Sequence, residues 1–146
     1  METAIRRLEA GDITEAAALE EICFGEEGWS SGDFADTLKL DYAYYICADV
    51  GGRLAGLAGA RLIAGDAYIS NVSVHPEMRR QGLAYKVMQK LLSLLKENGA
   101  AAYTLEVRSR NKAAIGLYEK LGFKSEGLRK DFYTAPKDDA IIMWKR

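Results

Sequence analysis

The stretch His75-Pro76-Glu77-Met78-Arg79-Arg80-Gln81-Gly82-Leu83-Ala84 joins a strand-like run to a long amphipathic helix through a short basic turn that contains glycine. These residue types at this spacing suit an anion. The first turn of a helix leaves about four backbone N–H groups without intrahelical partners and carries roughly half a positive charge, so a phosphate placed there meets donors and a favourable field. Gly82 lets a ligand approach the backbone where a side chain would block it. Arg79 and Arg80 add cationic charge. Alone, the stretch equally fits a solvated helix start, so the rest of the chain must decide.

A second chemical grouping lies between Leu105 and Phe123. Glu106 interrupts an apolar strand-like run, Tyr103-Thr104-Leu105-Glu106-Val107, where a carboxyl group should have a partner or a role, although alternation alone also allows it to face solvent. Asn111 opens a helical stretch, Tyr118 lies within it and Gly122 closes it. Each has an ordinary structural duty: a cap, a core aromatic with a wet hydroxyl, and a left-handed helix end. Asn111 can serve twice, since a side chain at a helix start can also reach a ligand lying across the sheet.

Together the two groupings resemble the Gcn5-related N-acetyltransferase (GNAT) superfamily. Arg79-x-x-Gly82-x-Ala84 is similar to its R/Q-x-x-G-x-G/A loop, which holds the pyrophosphate of acetyl-coenzyme A, with Ala84 a tolerated replacement for the last glycine. Val107, Asn111, Ala114, Tyr118, Gly122 and Phe123 match its V-x-x-x-N-x-x-A-x-x-x-Y-x-x-x-G-F pattern, and the two motifs stand in the family's order. The resemblance implies acetyl-coenzyme A as co-substrate. Its contacts would be Val72 and Val74 along a strand, then Arg79, Arg80, Gln81, Gly82, Leu83, Ala84 and Tyr85 in the loop, and Asn111.

The whole chain further resembles the RimI subfamily, the ribosomal-protein N-terminal alanine acetyltransferases of bacteria. Gly28-Trp29-Ser30, Asn71-Val72-Ser73-Val74-His75-Pro76, Leu105-Glu106-Val107-Arg108 through Tyr118, and Arg129-Lys130-Asp131-Phe132-Tyr133 with Asp139-Ala140-Ile141-Ile142-Met143 carry it. This resemblance implies Glu106 as proton acceptor, Tyr118 as proton donor, and a protein N-terminus as acceptor. The Trp29 and Tyr133 loops would flank that acceptor, with Glu26, Glu27, Asp138 or Asp139 available to attract a cationic N-terminus or standing there only as solvated loop charges. Gly28 departs from the subfamily's usual proline, and Asp131-Phe132-Tyr133 from its asparagine and paired tyrosines. Both departures bear on the acceptor more than on the reaction.

Acetyl transfer from a thioester to an amine needs few parts. The amine must lose a proton, the thioester oxygen must be stabilised as it gains charge, and the departing thiolate must be protonated. An α-amino group has a pKa of about 7.7 to 8.0, so a carboxylate, acting directly or through water, suffices as base. A phenol with a pKa of about 10 stays protonated and can serve as acid. The oxyanion donor would be a backbone N–H near the end of Asn71-Val72-Ser73-Val74.

The scaffold that must position these groups is legible in outline. Ala4 to Leu8 is a short strand candidate; Asp12-Ile13-Thr14-Glu15 has capping-box form and opens a helix to about Phe24; Ser30 or Ser31 caps another through about Leu40. Tyr44 to Val50, Gly51-Gly52 and Arg53 to Leu62 form a hairpin, and Ala67 to Val74 follows a turn. Leu83, Val87, Leu91, Leu94 and Leu95 repeat at helical spacing up to Asn98-Gly99. Ala102 to Val107, a helix from Asn111 to Leu121, and strands at Phe123 to Arg129 and Ala140 to Trp144 complete the chain. The expected class is α/β, a GNAT-like three-layer sandwich with a mixed central sheet of about seven strands and about four helices, because the long helix makes its flanking strands parallel.

Composition sets the remaining bounds. The chain of 146 residues is expected to form one domain, residues 1–146. Hydrophobic residues at 49% and charged residues at 28% fit a globular protein, and a net charge of -1 gives no reason to expect direct nucleic-acid binding. No signal-peptide core and no apolar run of the ~20 residues that span a bilayer are read, so the expectation is a cytoplasmic protein without a membrane partner. His75 is the only histidine, so a multi-histidine site cannot form within one chain, and no metal is expected. Cys23 and Cys47 read as buried free thiols. Two rivals stay open: a small-molecule amine acetyltransferase acting on a polyamine, amino acid or drug, and a non-catalytic module that holds coenzyme A. Retention of both Glu106 and Tyr118 argues against the second.

Overall fold

Residues 2–146 are described by a computed structural model, and the elements fall in the expected order. They are β1 (Thr3–Arg7), α1 (Ile13–Phe24), α2 (Ser31–Leu38), β2 (Ala43–Val50), β3 (Arg53–Ile63), β4 (Asp66–Val74), α3 (Leu83–Glu97), β5 (Ala102–Arg108), α4 (Lys112–Lys120), β6 (Lys124–Thr134) and β7 (Lys137–Lys145). Among the described residues, seven strands form one mixed sheet in the order β1-β2-β3-β4-β5-β7-β6, parallel only between β4 and β5. None of the described helices is long and apolar enough to cross a membrane.

The apolar stripe of α3, Leu83, Val87, Met88, Leu91, Leu92 and Leu95, is buried against one face of the sheet, where Tyr118, Leu121 and Phe123 extend the same core. The opposite face is covered by α1 and α2 through Ala16, Leu19 and Phe34, which pack with Tyr45, Cys47, Leu54 and Leu57. Three layers result. Hydrophobic burial at about 25 cal/mol per Å² drives both interfaces.

One backbone irregularity decides what β4 shows to each layer. Gly59 of β3 pairs with Asn71 but Ala60 pairs with Ile69, so Ser70 is an extra, bulged residue. Ahead of it Ala67 and Ile69 join the α3 core; beyond it Val72 and Val74 pack on that core, while Asn71 and Ser73 reach Glu20 of α1. A single inserted residue has shifted the alternation by one.

Several sequence expectations need correction. Asp12 does not cap α1 with its side chain; a 3-10 turn, Ala10–Asp12, precedes the helix, and the Asp12 carboxylate accepts from Glu9 N at 2.8 Å and from Arg6 Nη1 and Nη2 at 2.8 and 2.9 Å. A nearby cation outcompeted the helix end. Ser30 does cap α2, in a reciprocal box with Asp33, but the helix stops at Leu38. The final hairpin is longer than its hydropathy suggested because β6 is an edge strand with most residues in solvent, which leaves little apolar alternation to read. Cys47 is buried as expected, but Cys23 is only half-buried; both are free thiols.

Candidate active site

β4 and β5 pair only through Asp66, Ala67 and Tyr68 against Ala102, Tyr103 and Thr104. Past that point the strands separate. The gap is a cleft of about 290 Å³ walled by Ile69, Ser70, Asn71 and Val72 on one side and by Leu105, Glu106, Val107 and Arg108 on the other. Asn111, Ala114 and Tyr118 of α4 line it, and Phe24, Glu27, Trp29 and Tyr133 stand around it. Strand edges left without a neighbour present N–H and C=O groups, so an extended chain bearing amides can pair there as an extra strand would.

At the end of β4 the chain turns through Pro76–Met78 into the basic loop. Arg80 and Gly82 both have left-handed backbones, φ 65° and 75°, and α3 begins at Leu83. A Cβ on Gly82 would meet no atom within 4 Å, so open space lies beside the backbone at the helix start. Successive N–H groups in such a turn form a concave anion site. Arg79 Nε donates to the Val74 carbonyl at 3.1 Å and fastens the loop to β4. Leu83 is buried in the core, and Val72 and Val74 pack on it half-buried, with Val72 also lining the cleft.

Glu106 and Tyr118 come together on the cleft lining. The Glu106 side chain is 35% exposed and accepts from Arg129 Nη1 at 3.0 Å, the partner that an acid within an apolar run required. Tyr118 is buried beside Phe123, and burial pushes its phenol well above the ordinary range, with the nearby Tyr133 adding to the rise. Asn111 Oδ1 accepts from Ala114 N at 3.1 Å, so it caps α4 while lining the cleft.

Trp29 and Tyr133 flank this cleft as the sequence suggested, whereas Asp138 and Asp139 are not among the residues that line it. Asp139 accepts from Asp131 N at 2.8 Å and fixes the end of the β6–β7 hairpin. Asp138 is buried and accepts from the Ser109 hydroxyl at 2.5 Å and from Asp139 N at 2.8 Å. The Ser109 bond holds the Asp138 carboxyl below the usual carboxylate range, against the opposing effect of burial. A depressed folded-state value stabilises the fold above the unfolded pKa of about 3.9 and is lost as pH falls through the folded value. Thermal melts should therefore show Ser109→Ala less stable than the parent at neutral pH, with the gap closing below about pH 4.

Two residues escaped the sequence reading. Arg108 stacks over the Tyr133 ring at 4.2 Å, donates to the carbonyls of Pro136 at 2.6 Å and Ala135 at 3.3 Å, and reaches Glu27 at 3.6 Å. It ties together the two loops that flank the cleft. Glu20 of α1 is only 2% exposed and also lines the cleft. Its one trace in the sequence was its spacing, four residues after Ala16 on the buried face of α1. Trp29 N donates to it at 3.1 Å, Asn71 Nδ2 at 3.3 Å, and the Ser73 hydroxyl also donates to it. Tyr45, its phenol pushed up to about 12 by burial, donates to Asn71 Oδ1 at 2.6 Å. Gly28 allows the Trp29 loop to lie this close: a Cβ there would fall 2.5 Å from the Glu20 carbonyl oxygen, which is why proline does not fit.

Comparison with known proteins places this architecture. Residues 13–123 match the model of the Acetyltransferase (GNAT) family. The chain is 34% identical over 141 residues to the ribosomal protein bS18-alanine N-acetyltransferase of Escherichia coli (strain K12), covering 95% of this chain and 94% of that protein. It is 31% identical over 144 residues to the N-alpha-acetyltransferase RimI of Mycobacterium tuberculosis, covering 95% of this chain and 89% of that protein. A crystal structure of the ribosomal-protein-S18-alanine N-acetyltransferase from Escherichia coli matches with a TM-score of 0.90 at 32% identity, over 99% of this chain and 93% of that one.

Proposed function

The chain belongs to the acetyltransferase (GNAT) family, and from that premise we propose that it acetylates the N-terminal amine of a protein, the terminal alanine of a small-subunit ribosomal protein. It is an acyltransferase and uses acetyl-coenzyme A. The residues present fit that co-substrate: the parted edges of β4 and β5 suit an amide-bearing arm, and the turn from Arg79 to Gly82, with its open space beside Gly82, suits a pyrophosphate. Val72 and Val74 offer backbone along the arm, and Asn111 lies at the cleft wall.

The observation that carries the reading is the placement of Glu106 and Tyr118 on one cleft between β4 and β5. Glu106 takes a proton from the acceptor ammonium, whose pKa of about 7.7 to 8.0 makes a carboxylate an adequate base. The freed nitrogen attacks the thioester carbon, the new C–N bond forms as the C–S bond breaks, the Tyr118 hydroxyl supplies the proton that the sulfur needs, and the second proton shed by the acylated nitrogen restores that hydroxyl. Burial keeps that phenol protonated at every working pH. Trp29 and Tyr133 border the acceptor, and Arg108 holds their loops together. The enzyme is read as a single catalytic domain of the cytoplasm, with a polypeptide N-terminus and acetyl-coenzyme A as partners and neither nucleic acid nor membrane.

Thiol release measured against alanine-initiated peptides and a panel of polyamines, amino acids and amine drugs tests the acceptor. Peptides should be preferred by at least about tenfold in kcat/KM, which corresponds to about 1.4 kcal/mol; a polyamine or drug preferred by that margin would assign the small-molecule alternative instead. Gly82→Val tests the coenzyme end. A left-handed backbone costs a side-chain-bearing residue about 1–2 kcal/mol, and the added methyls fill the space beside the turn. The expected result is a rise of about tenfold or more in KM for acetyl-coenzyme A with a much smaller change in kcat.

A further inference from the structure

We propose that Glu20 is the fixed negative charge that receives the acceptor's ammonium group in the cleft and orients it for Glu106. The inference rests on the amine-acetylating reading above and assigns a role to a residue that this mechanism does not yet use.

Three carboxylates line the cleft, Glu20, Glu27 and Glu106, and their partners differ. Glu27 pairs with Arg108 at 3.6 Å. Glu106 already has a cation, Arg129 at 3.0 Å. Glu20 has none: among the described residues no lysine, arginine or histidine forms an ion pair with it, although it is 2% exposed. Each of its three hydrogen bonds comes from a neutral donor, namely the Trp29 backbone, the Asn71 amide and the Ser73 hydroxyl. An ionised carboxylate offers about four lone-pair sites, so one remains after three neutral donors are counted. Buried charges are ordinarily paired, because leaving water is costly and neutral hydrogen bonds offset only part of that cost. The missing partner must be a cation, and the cleft that Glu20 lines is the route by which one arrives. An acceptor amine enters as ammonium at neutral pH.

The donors also set the geometry. Trp29 belongs to the loop beside the acceptor, and Asn71 and Ser73 belong to β4 beyond its bulge, so Glu20 links the acceptor border to the cleft wall. Their bonds hold its charge at one place before any substrate arrives. Glu106, more exposed and paired to a mobile-length arginine side chain, is then the group that removes the proton.

The test compares binding of an alanine-initiated hexapeptide with that of the same peptide lacking its α-amino group, by calorimetry on the full chain with coenzyme A present. The parent should prefer the ammonium-bearing peptide by at least tenfold. Glu20→Gln keeps an oxygen for Trp29 and Asn71 and should lose that preference to within about twofold while retaining coenzyme A affinity; Glu106→Gln should keep it. A Glu20 whose role was only structural would weaken both peptides alike. Preservation of the preference in Glu20→Gln, its loss in Glu106→Gln, or its absence in the parent overturns the proposal. Should Glu20→Gln fail to bind coenzyme A, the Glu106→Gln result decides alone. If the parent acetylates small amines and no peptide, the N-terminal reading fails; the preferred amine and its hydroxyl analogue then replace the peptides, with the same outcomes.

Discussion

Glu106→Gln is expected to lower kcat by about two to four orders of magnitude, the range that a positioned general base contributes, while affinity for acetyl-coenzyme A stays unchanged. Glutamine keeps the size of the side chain and a hydrogen bond to Arg129, so the fold and the cleft lining are preserved. What disappears is the proton acceptor. The variant must then rely on acceptor molecules that arrive already deprotonated, and its residual rate should climb with pH across the amine pKa of about 7.7 to 8.0. Tyr118→Phe should show the complementary loss, with kcat reduced and both substrates still bound, because Tyr118 lines the cleft and its burial keeps the proton on oxygen. Pre-steady-state measurement of thiol release separates these effects from product release. Full turnover in either variant would remove that residue from the mechanism.

The largest effect on stability is expected at Gly59. A Cβ at this position would fall 1.9 Å from Cε2 of Tyr45, whose ring is 1% exposed and packed edge-on to Phe34 at 6.1 Å and tilted against Trp29 at 5.9 Å. The ring cannot retreat without pushing those neighbours. Overpacking a closed core costs about 1–3 kcal/mol and more when the backbone must shift, so Gly59→Ala should lower Tm by about 3–10 °C and Gly59→Val by more. The same displacement pulls the Tyr45 hydroxyl from Asn71 and loosens the cleft wall. A cycle with Tyr45→Leu isolates the cause: the double variant should lose less stability than the two single changes added together. Strict additivity would show that the ring is not the obstacle.

How much of this was legible in the sequence depended on the range of the interaction. Helix α3 announced itself because its apolar residues repeat within one segment, and the β2–β3 hairpin because Gly51 and Gly52 both adopt the positive φ its turn demands. Glu106, Tyr118, Asn111 and the Arg79–Gly82 turn were named from local spacing and motif resemblance, and the fold brings Glu106, Tyr118 and Asn111 to one cleft. Partners distant in sequence were not readable. Arg129 meets Glu106 across 23 residues and Ser73 meets Glu20 across 53, and neither pair leaves a pattern in composition or periodicity. The bulge at Ser70 is a backbone event, set by how β3 and β4 pair, and it alone turns Asn71 and Ser73 toward α1. Asp12 failed as a cap for the same reason: Arg6, on the strand before it, supplied a stronger donor than a helix N–H.

The central claim is that the acceptor is the α-amine at a protein N-terminus. Tandem mass spectrometry of an alanine-initiated peptide that also carries an internal lysine, after reaction with acetyl-coenzyme A, tests it most directly. One acetyl group is expected, on the terminal nitrogen, absent when that nitrogen is blocked beforehand and greatly reduced with Glu106→Gln. Acetyl on the lysine side chain with the terminus untouched would contradict it.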